Sequence, residues 1–436
     1  VKKYFHSVRL LPDRCKGCVS CIKRCPTEAI RIRSGKAKII ESRCIDCGEC
    51  IRRCSNHAKS AITDSIEDLS RFRYNIALPA PTLYAQFGAD TPIEAILCGL
   101  KKLGFDAVFE VARGAEFVSR AIREYLAKGG YCRPAISSAC PAVVRLIQVN
   151  FPELIDHLVP FAAPVEVAAK LARELARRRE GLNPSDIGVW FITPCPAKMT
   201  AVRQPLGAEQ SHISGAIAIS KIYGDLLKSL PTEPADPACP RATHLGVGWA
   251  VSGGEASTLA PIHSLVIDEI HRVSEALDQV ALGKLKHVDY IEALACAGGC
   301  IGGPLTVENR YVAEERMQHR AQGKQPVPVE DEMLEAVYRD VVDDGRLAIE
   351  PQPVMRMDDD IYQAISKVEV MEKTLGRLPG LDCGSCGSPS CKALAEDIAQ
   401  GIASETDCVF KLREKVRDLA QEMVSLAEKL PPSLNK

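Results

Sequence analysis

The stretch Leu294-Ala295-Cys296-Ala297-Gly298-Gly299-Cys300-Ile301-Gly302-Gly303-Pro304 decides how this chain is read. Two thiols flank an Ala-Gly-Gly step, and two more glycines follow. Glycine lacks a Cβ, so its backbone can pass close to a bulky object and take a positive φ. Such a loop suits a wrap around something inorganic. The residues before it, Asp289-Tyr290-Ile291-Glu292-Ala293-Leu294, are apolar enough for a buried strand or its end. The alternative is a tight turn holding two buried cysteines, since free cysteine is among the most buried residue types.

Cysteine usage across the chain favours the first reading. Nineteen cysteines occur in 436 residues, mostly in clusters of Cys-x-x-Cys type. In a non-secreted chain that pattern argues for metal rather than disulfides. The start, Val1-Lys2-Lys3-Tyr4-Phe5-His6, lacks the apolar core of a signal peptide, and no apolar run is long enough for a membrane span. A reducing, cytoplasmic setting is the expectation. The 55 Lys and Arg against 56 Asp and Glu leave a net charge of −1 and no basic stripe, so no nucleic-acid partner is expected. The length predicts two to four domains.

Residues 1–75 carry an internal repeat. Cys15-x-x-Cys18-x-x-Cys21-x-x-x-Cys25-Pro26 recurs as Cys44-x-x-Cys47-x-x-Cys50-x-x-x-Cys54, with Ser55 in place of the proline. The doubled run resembles the two-cluster bacterial ferredoxins, in which the fourth cysteine of each run ligates the other cluster. By that resemblance one 4Fe–4S cluster uses Cys15, Cys18, Cys21 and Cys54, and the second uses Cys44, Cys47, Cys50 and Cys25. A pair of zinc sites is the alternative.

From about residue 76 the texture alternates between short apolar runs and helical stripes. Strands are predicted at 76–78, 106–111, 134–137, 187–192 and 216–219, and helices at 93–103, 116–128, from 141 onward, at 164–179 and up to 230. The run Ile187-Gly188-Val189-Trp190-Phe191-Ile192 is apolar without alternation, as a parallel strand covered on both faces should be. Residues 231–240 are proline-rich and read as a surface loop. Alternation of this length means α/β with a mostly parallel sheet. Cys140 then falls between a strand and a helix, Cys195 directly after a strand, and Cys296 and Cys300 after a third. Ligands of open α/β sheets gather at the carboxyl ends of strands, so four thiolates from three loops can hold one 4Fe–4S cluster.

These three loops resemble the three signatures of the FeFe hydrogenase catalytic domain. Ser137-Ser138-Ala139-Cys140-Pro141 is similar to its Thr-Ser-Cys-Cys-Pro signature, with Ser for Thr and Ala139 for the first Cys. Pro194-Cys195-Pro196-Ala197-Lys198 is similar to Met-Pro-Cys-x-x-Lys-x-x-Glu, with Thr193 for Met and Ala201 for Glu. Glu292 and the Cys-x-Gly-Gly-Cys core match the third signature, and Val251-Ser252-Gly253-Gly254 looks like a further family loop. With the ferredoxin repeat, the resemblance covers roughly residues 3–310. It implies that Cys140, Cys195, Cys296 and Cys300 hold the cubane of the H-cluster. Cys300 would bridge that cubane to a two-iron subcluster carrying CO, cyanide and a bridging dithiolate. Lys198 would pair with a cyanide in a dry pocket; the bland alternative is a surface lysine.

The departures carry weight. Ala139 occupies the place of the thiol that relays protons in fast members of the family, and a methyl group carries no proton. Ala201 removes a carboxylate partner of the lysine, and Leu294 replaces a Met beside the cluster. Slow turnover, or a water route for protons, is expected.

After residue 310 the pattern becomes more charged, with one helix predicted at 331–342. A further cysteine set, Cys383-x-x-Cys386-x₄-Cys391 and Cys408, resembles the small 4Fe–4S module of corrinoid iron–sulfur proteins, with a helix predicted at 392–404; zinc is the alternative. Cys98, Cys132 and Cys239 are left over and are read as packing or incidental thiols. Val409, Leu412, Val416, Leu419, Met423, Leu426 and Leu430 are spaced 3, 4, 3, 4, 3, 4, a heptad seam that predicts a homodimer through the C-terminal helix. Docking of that helix on its own domain is the alternative.

The expected architecture is an α+β two-cluster ferredoxin domain (1–75), an α/β H-cluster domain of two lobes with mostly parallel sheets around the metal site (76–370), a small α-rich 4Fe–4S module (371–408) and a terminal helix (409–436). Ala139, the extra cluster and the seam resemble sensory-type FeFe hydrogenases, which usually carry a PAS domain after such a helix; either one follows beyond these residues or signalling takes another route. The expected function is slow interconversion of H2 with protons and electrons, as a hydrogen or redox sensor. The expected partners are an electron carrier or signalling protein and hydrogenase maturation proteins. A low-activity metabolic hydrogenase is one alternative. A relative without the two-iron unit, acting in electron transfer or cluster assembly, is the other.

Overall fold

The computed structural model describes residues 4–231, 242–321, 338, 347–352, 357–358 and 360–429. Two compact units result: Val1–Arg9 with Cys44–Arg52 and Lys59–Gln352, and Leu10–Arg43 with Arg53–Ala58 and Pro353–Lys436. The doubled cysteine run is thereby shared out, with Cys44, Cys47 and Cys50 in the first unit and Cys15, Cys18, Cys21, Cys25 and Cys54 in the second.

Four short strands accompany the repeat: β1 (Val8–Leu10), β2 (Ile30–Arg33), β3 (Lys36–Ile39) and β4 (Lys59–Ala61). The repeat is also visible in the backbone. Gly17 and Asp46, at equivalent positions, have φ of 67° and 51°, and Glu28 and His57 both have 48°. A Cβ on Gly17 would lie 2.5 Å from the Gly35 carbonyl oxygen, so only glycine fits there. Asp46 holds its left-handed backbone with a committed carboxylate: it accepts the Val8 N–H at 3.0 Å and pairs with His6 Nδ1 at 2.8 Å.

Seven further strands lie in the first unit: β5 (Tyr74–Pro79), β6 (Ala107–Val108), β7 (Ala135–Ile136), β8 (Ile187–Thr193), β9 (Gly215–Ala218), β10 (Ser264–Asp268) and β11 (Tyr290–Leu294). They form two parallel sheets, ordered β6-β5-β8-β9 and β10-β11-β7. All seven residues of β8 are buried. Trp190 and Ile192 enter one hydrophobic cluster, while Ile187, Val189 and Phe191 enter another. Both faces are covered, which explains the unbroken apolar run. Trp190 Nε1 donates to Asn75 Oδ1 at 2.8 Å, so its one polar atom is satisfied.

The expected helices lie at Ile93–Lys102, Val111–Lys128, Pro141–Asn150, Pro164–Glu180 and Ile219–Ser229, and a helix not read from the sequence is added at Pro196–Arg203. Proline opens three of them, where its missing N–H costs nothing. The strand expected over 106–111 shrinks to Ala107–Val108, because Val111 already starts a helix. Val111, Ala115, Val118 and Ile122 are all buried at helical spacing, so packing extends that helix upstream of the expected start at 116.

In the second unit β2 and β3 form an antiparallel hairpin, from Ile30↔Ile39 to Arg33↔Lys36. Helices follow at Ile361–Arg377, Cys391–Ala399 and Val409–Glu428. The helix expected at 392–404 stops at Ala399. Gly401 turns the chain at φ 73°, and Ser404 opens a new turn in which its N–H donates to Asp407 Oδ2 at 2.9 Å. Cys408 then stands as N-cap of the last helix. The hairpin and the short helix are joined by buried charge: Arg31 Nε and Arg33 Nη2 donate to Asp397 Oδ2 at 2.7 and 2.6 Å, and Arg43 pairs with Glu396. The expected loop 231–240 beyond Pro231, the helix 331–342 apart from Tyr338, Cys239 and Leu430 lie outside the described residues. Among the described residues no helix is long and apolar enough to cross a membrane.

Candidate metal centre

Three strand ends of the first unit deliver the thiols. Cys140 follows β7 and is the N-cap of Pro141–Asn150. Cys195 follows β8 and is the N-cap of Pro196–Arg203. Cys296 and Cys300 follow β11. A helix N-terminus favours a thiolate, since its orphan N–H groups point at the sulfur. Thr193 shapes the second loop: its Oγ1 accepts the Cys195 N–H at 3.1 Å. Gly299 has φ 86°, and a Cβ there would sit 2.7 Å from the Ala250 carbonyl oxygen, which fixes the crowded turn between the last two thiols.

These four cysteines line one small enclosed cavity, together with Lys198, Leu294 and Cys47 of the second ferredoxin run. Burial and the neighbouring thiols push Cys140 and Cys195 above the ordinary thiol pKa, and burial pushes Cys300 up to about 11. Cys140, Cys195 and Cys300 therefore resist becoming thiolates until a cation compensates them, and an iron–sulfur cluster supplies that compensation. The donor set therefore fits a cubane. Burial works against the charged form of Lys198, but the thiols, Cys300 foremost, hold its pKa above the usual lysine value. Lys198 is thus a half-buried cation beside Cys300, facing both this cavity and a larger one of about 350 Å³ that Ala201 also lines.

Ala139 is buried beside Ala115 and Trp249. A buried polar cluster begins two residues away. The Ala139 N–H donates to Ser137 Oγ at 3.3 Å, Ser137 Oγ donates to Glu255 Oε2 at 2.7 Å, and Tyr290 OH donates to Glu255 Oε1 at 2.6 Å. Glu292 accepts the N–H groups of Gly253 and Ala256 at 2.9 and 2.7 Å. Burial, and then the charge of Glu292, raises the Glu255 pKa to about 8; burial likewise raises Glu292. Sequence reasoning singled out Glu292 but not Glu255, whose only signal is its place beside Gly253-Gly254. It also passed over Arg52, which donates to Cys296 Sγ at 3.2 Å. Nothing in the spacing links those two residues.

The ferredoxin thiols accept backbone hydrogen bonds, as cluster ligands do: Ala37 N–H to Cys15 Sγ at 3.4 Å, Ala29 N–H to Cys25 Sγ at 3.2 Å, and Ala58 N–H to Cys54 Sγ at 3.2 Å. In the C-terminal module Cys386, Cys391 and Cys408 pack around Leu378, Leu394 and Ala395. Cys383 is exposed, and its charge is among those that act on Cys386. Cys98 is half-buried on its helix and Cys132 is exposed.

Parallel sheets whose strand ends gather four thiols, joined to a doubled ferredoxin run, define an iron–sulfur protein of the oxidoreductase type. A family model described as iron only hydrogenase large subunit, C-terminal domain, matches residues 73–260; a 4Fe-4S dicluster domain matches 7–55, and an Fe-S cluster model matches 378–410. Residues 73–260 are thus similar to that iron only hydrogenase domain family. It is 25% identical over 366 residues to the periplasmic [Fe] hydrogenase large subunit of Nitratidesulfovibrio vulgaris, covering 68% of this chain and 86% of that one. It is 22% identical over 265 residues to a probable cytosolic Fe-S cluster assembly factor of Caenorhabditis elegans, covering 50% and 59%. It spans about half the length of two further hydrogenase relatives. An apo FeFe hydrogenase structure from Chlamydomonas reinhardtii superposes with a TM-score of 0.52 at 14% identity, covering 66% of this chain and 99% of that one, which shows the shared fold.

Proposed function

We propose that the chain carries an H-cluster and slowly interconverts dihydrogen with protons and electrons, 2H⁺ + 2e⁻ ⇌ H2, as a sensor of hydrogen or redox state. The carrying observation is that Cys140, Cys195, Cys296 and Cys300 line one buried cavity with Lys198. In this reading the four thiols hold a cubane, and Cys300 also receives a two-iron unit with CO, cyanide and dithiolate ligands, installed by maturation proteins. That unit supplies the site at which dihydrogen is made or split. Lys198 offers a fixed cation to an anionic ligand in a water-poor pocket. Cys47 beside the same cavity gives electrons a route to the second ferredoxin cluster, held by Cys44, Cys47, Cys50 and Cys25. Cys15, Cys18, Cys21 and Cys54 hold the first, and Cys383, Cys386, Cys391 and Cys408 the C-terminal one. The four-part domain division read from the sequence, a cytoplasmic setting, a homodimer through the last helix and an electron-carrier or signalling partner belong to the same proposal.

Ala139 favours a sensor over a flux-carrying enzyme. The assembly-factor relative keeps a second reading alive, an H-domain without the two-iron unit acting in electron transfer or cluster assembly. Incubation of the matured protein under D2 in H2O separates them. Slow formation of HD supports the proposal; none at all, with the clusters intact, favours the second reading.

A further inference from the structure

Arg52 lies between Cys50 and Cys54, so its backbone belongs to the second ferredoxin run. Its guanidinium does not stay there. Nη1 donates to Cys296 Sγ at 3.2 Å and to the Gly302 carbonyl oxygen at 3.2 Å. Nε and Nη2 donate to Glu49 Oε2 at 3.1 and 2.7 Å. The planar fork is therefore committed on both edges, a geometry that a lysine cannot reproduce. Glu49 is buried, and the Arg52 side chain is 24% exposed. The surrounding loops are in tight contact as well. A Cβ on Gly48 would lie 2.4 Å from Pro304 Cγ and 3.0 Å from Pro196 Cγ, so this run packs directly on the loops that carry Cys195 and Cys300. Glu49 and Arg52 form an (i, i+3) ion pair on one helical turn. The thiol contact gives the pair a second partner, four residues before Cys300.

We propose that Arg52 is a positioning residue that raises the reduction potential of the cubane held by Cys140, Cys195, Cys296 and Cys300, through a charged N–H···S hydrogen bond delivered from the ferredoxin run. The inference rests on the cubane reading given above. Hydrogen bonds to cluster sulfurs and nearby charge are among the quantities that set cluster potentials. A fixed cation at a ligand sulfur stabilises the form with one more electron, and a charge-assisted bond is roughly twice as strong as a neutral one. The consequence is a bias: an electron arriving through the second run is held at the H-domain cubane at a less reducing potential than the thiolates alone would allow.

The test uses the full chain carrying its cubanes but no two-iron unit, so that the readout is independent of turnover. Potentiometric titration followed by electron paramagnetic resonance is run on the wild type, Arg52→Met, Arg52→Gln and Arg52→Lys. In Arg52→Met the reduced-to-oxidised ratio of the H-domain cubane, at fixed potential, should fall about tenfold, a shift of about 59 mV for one electron. Arg52→Gln, which keeps a neutral donor, and Arg52→Lys, which keeps the charge, should fall less. If Arg52→Met does not take up its cubane, the Gln and Lys variants decide by the same direction of shift. Potentials equal to or above the wild type overturn the inference. A wild type holding about twelve irons rather than sixteen, with no H-domain cubane signal, overturns the reading beneath it instead.

Discussion

Ala139 concentrates the chemistry of the site in one missing atom. If the site holds the H-cluster as proposed, a thiol there would serve as general acid and base, and such a group is worth roughly 10²–10⁴ in rate. Ala139→Cys should therefore raise dihydrogen turnover of the matured protein within that range, short of fast relatives because Ala201 and Leu294 also differ. A wild type that already matches thiol-bearing relatives would remove Ala139 as the limiting residue. Glu255 makes a second prediction. Its folded pKa is raised by burial from the ordinary 4.5 to about 8, so the folded state favours the proton. The stability this contributes is fully present below the ordinary value and is lost as pH rises through about 8. Thermal melting of the wild type should fall over that window, and Glu255→Gln should flatten the fall. Equal slopes in both proteins would show that Glu255 titrates normally. The cysteines were legible in the sequence because metal chemistry imposes spacing on them. Glu255 and Arg52 were not, because their partners, Ser137, Tyr290 and Cys296, are brought by the fold from distant parts of the chain.

At the level of elements, the strand–helix alternation was readable wherever burial imposed a pattern, as in β8. It failed where packing moved a boundary, as at Val111, where an apolar strand candidate became the first turn of a helix. The end of Cys391–Ala399 was missed because a glycine and a serine cap, not hydrophobicity, stop it. The last helix is the opposite case. The expected seam lies on one helix, and Leu412, Val416, Leu419, Met423 and Leu426 are all exposed, at 45–71% of their surface, so among the described residues nothing covers them. Removing residues 409–436 should convert a dimer to a monomer in light scattering; a monomer with and without the segment would leave the seam without this role. Asp397 carries a prediction about the C-terminal module. It takes Arg31, Arg33 and the Ser388 hydroxyl, and Asp397→Ala would leave two guanidiniums without their carboxylate. Breaking a buried pair of this kind costs about 3–5 kcal/mol. Chemical denaturation should show a loss of that order, with early release of iron from the Cys383–Cys408 set. Unchanged midpoints would mean that the hairpin and the module are held by something else.

For the molecule as a whole, the sequence is organised in covalent order, whereas compactness cuts across it. Cys44–Arg52 belongs with the H-domain sheets, and the first ferredoxin run belongs with the C-terminal module. No sequence pattern announces that division, because it depends on which loops touch after folding. It leaves three cysteine-rich neighbourhoods along one chain, with Arg52 and Cys47 where the second run meets the H-site. Filled as proposed, they hold four cubanes and a two-iron unit, or about eighteen irons per chain. In the proposed function Lys198 and Cys300 complete a site for that two-iron unit. Infrared spectroscopy of the matured protein tests it most directly, because carbonyl and cyanide ligands absorb where protein does not. Sharp bands are expected in both stretching regions, with perturbed cyanide bands in Lys198→Ala. A protein with all its cubanes in place and no absorption in either region would contradict it.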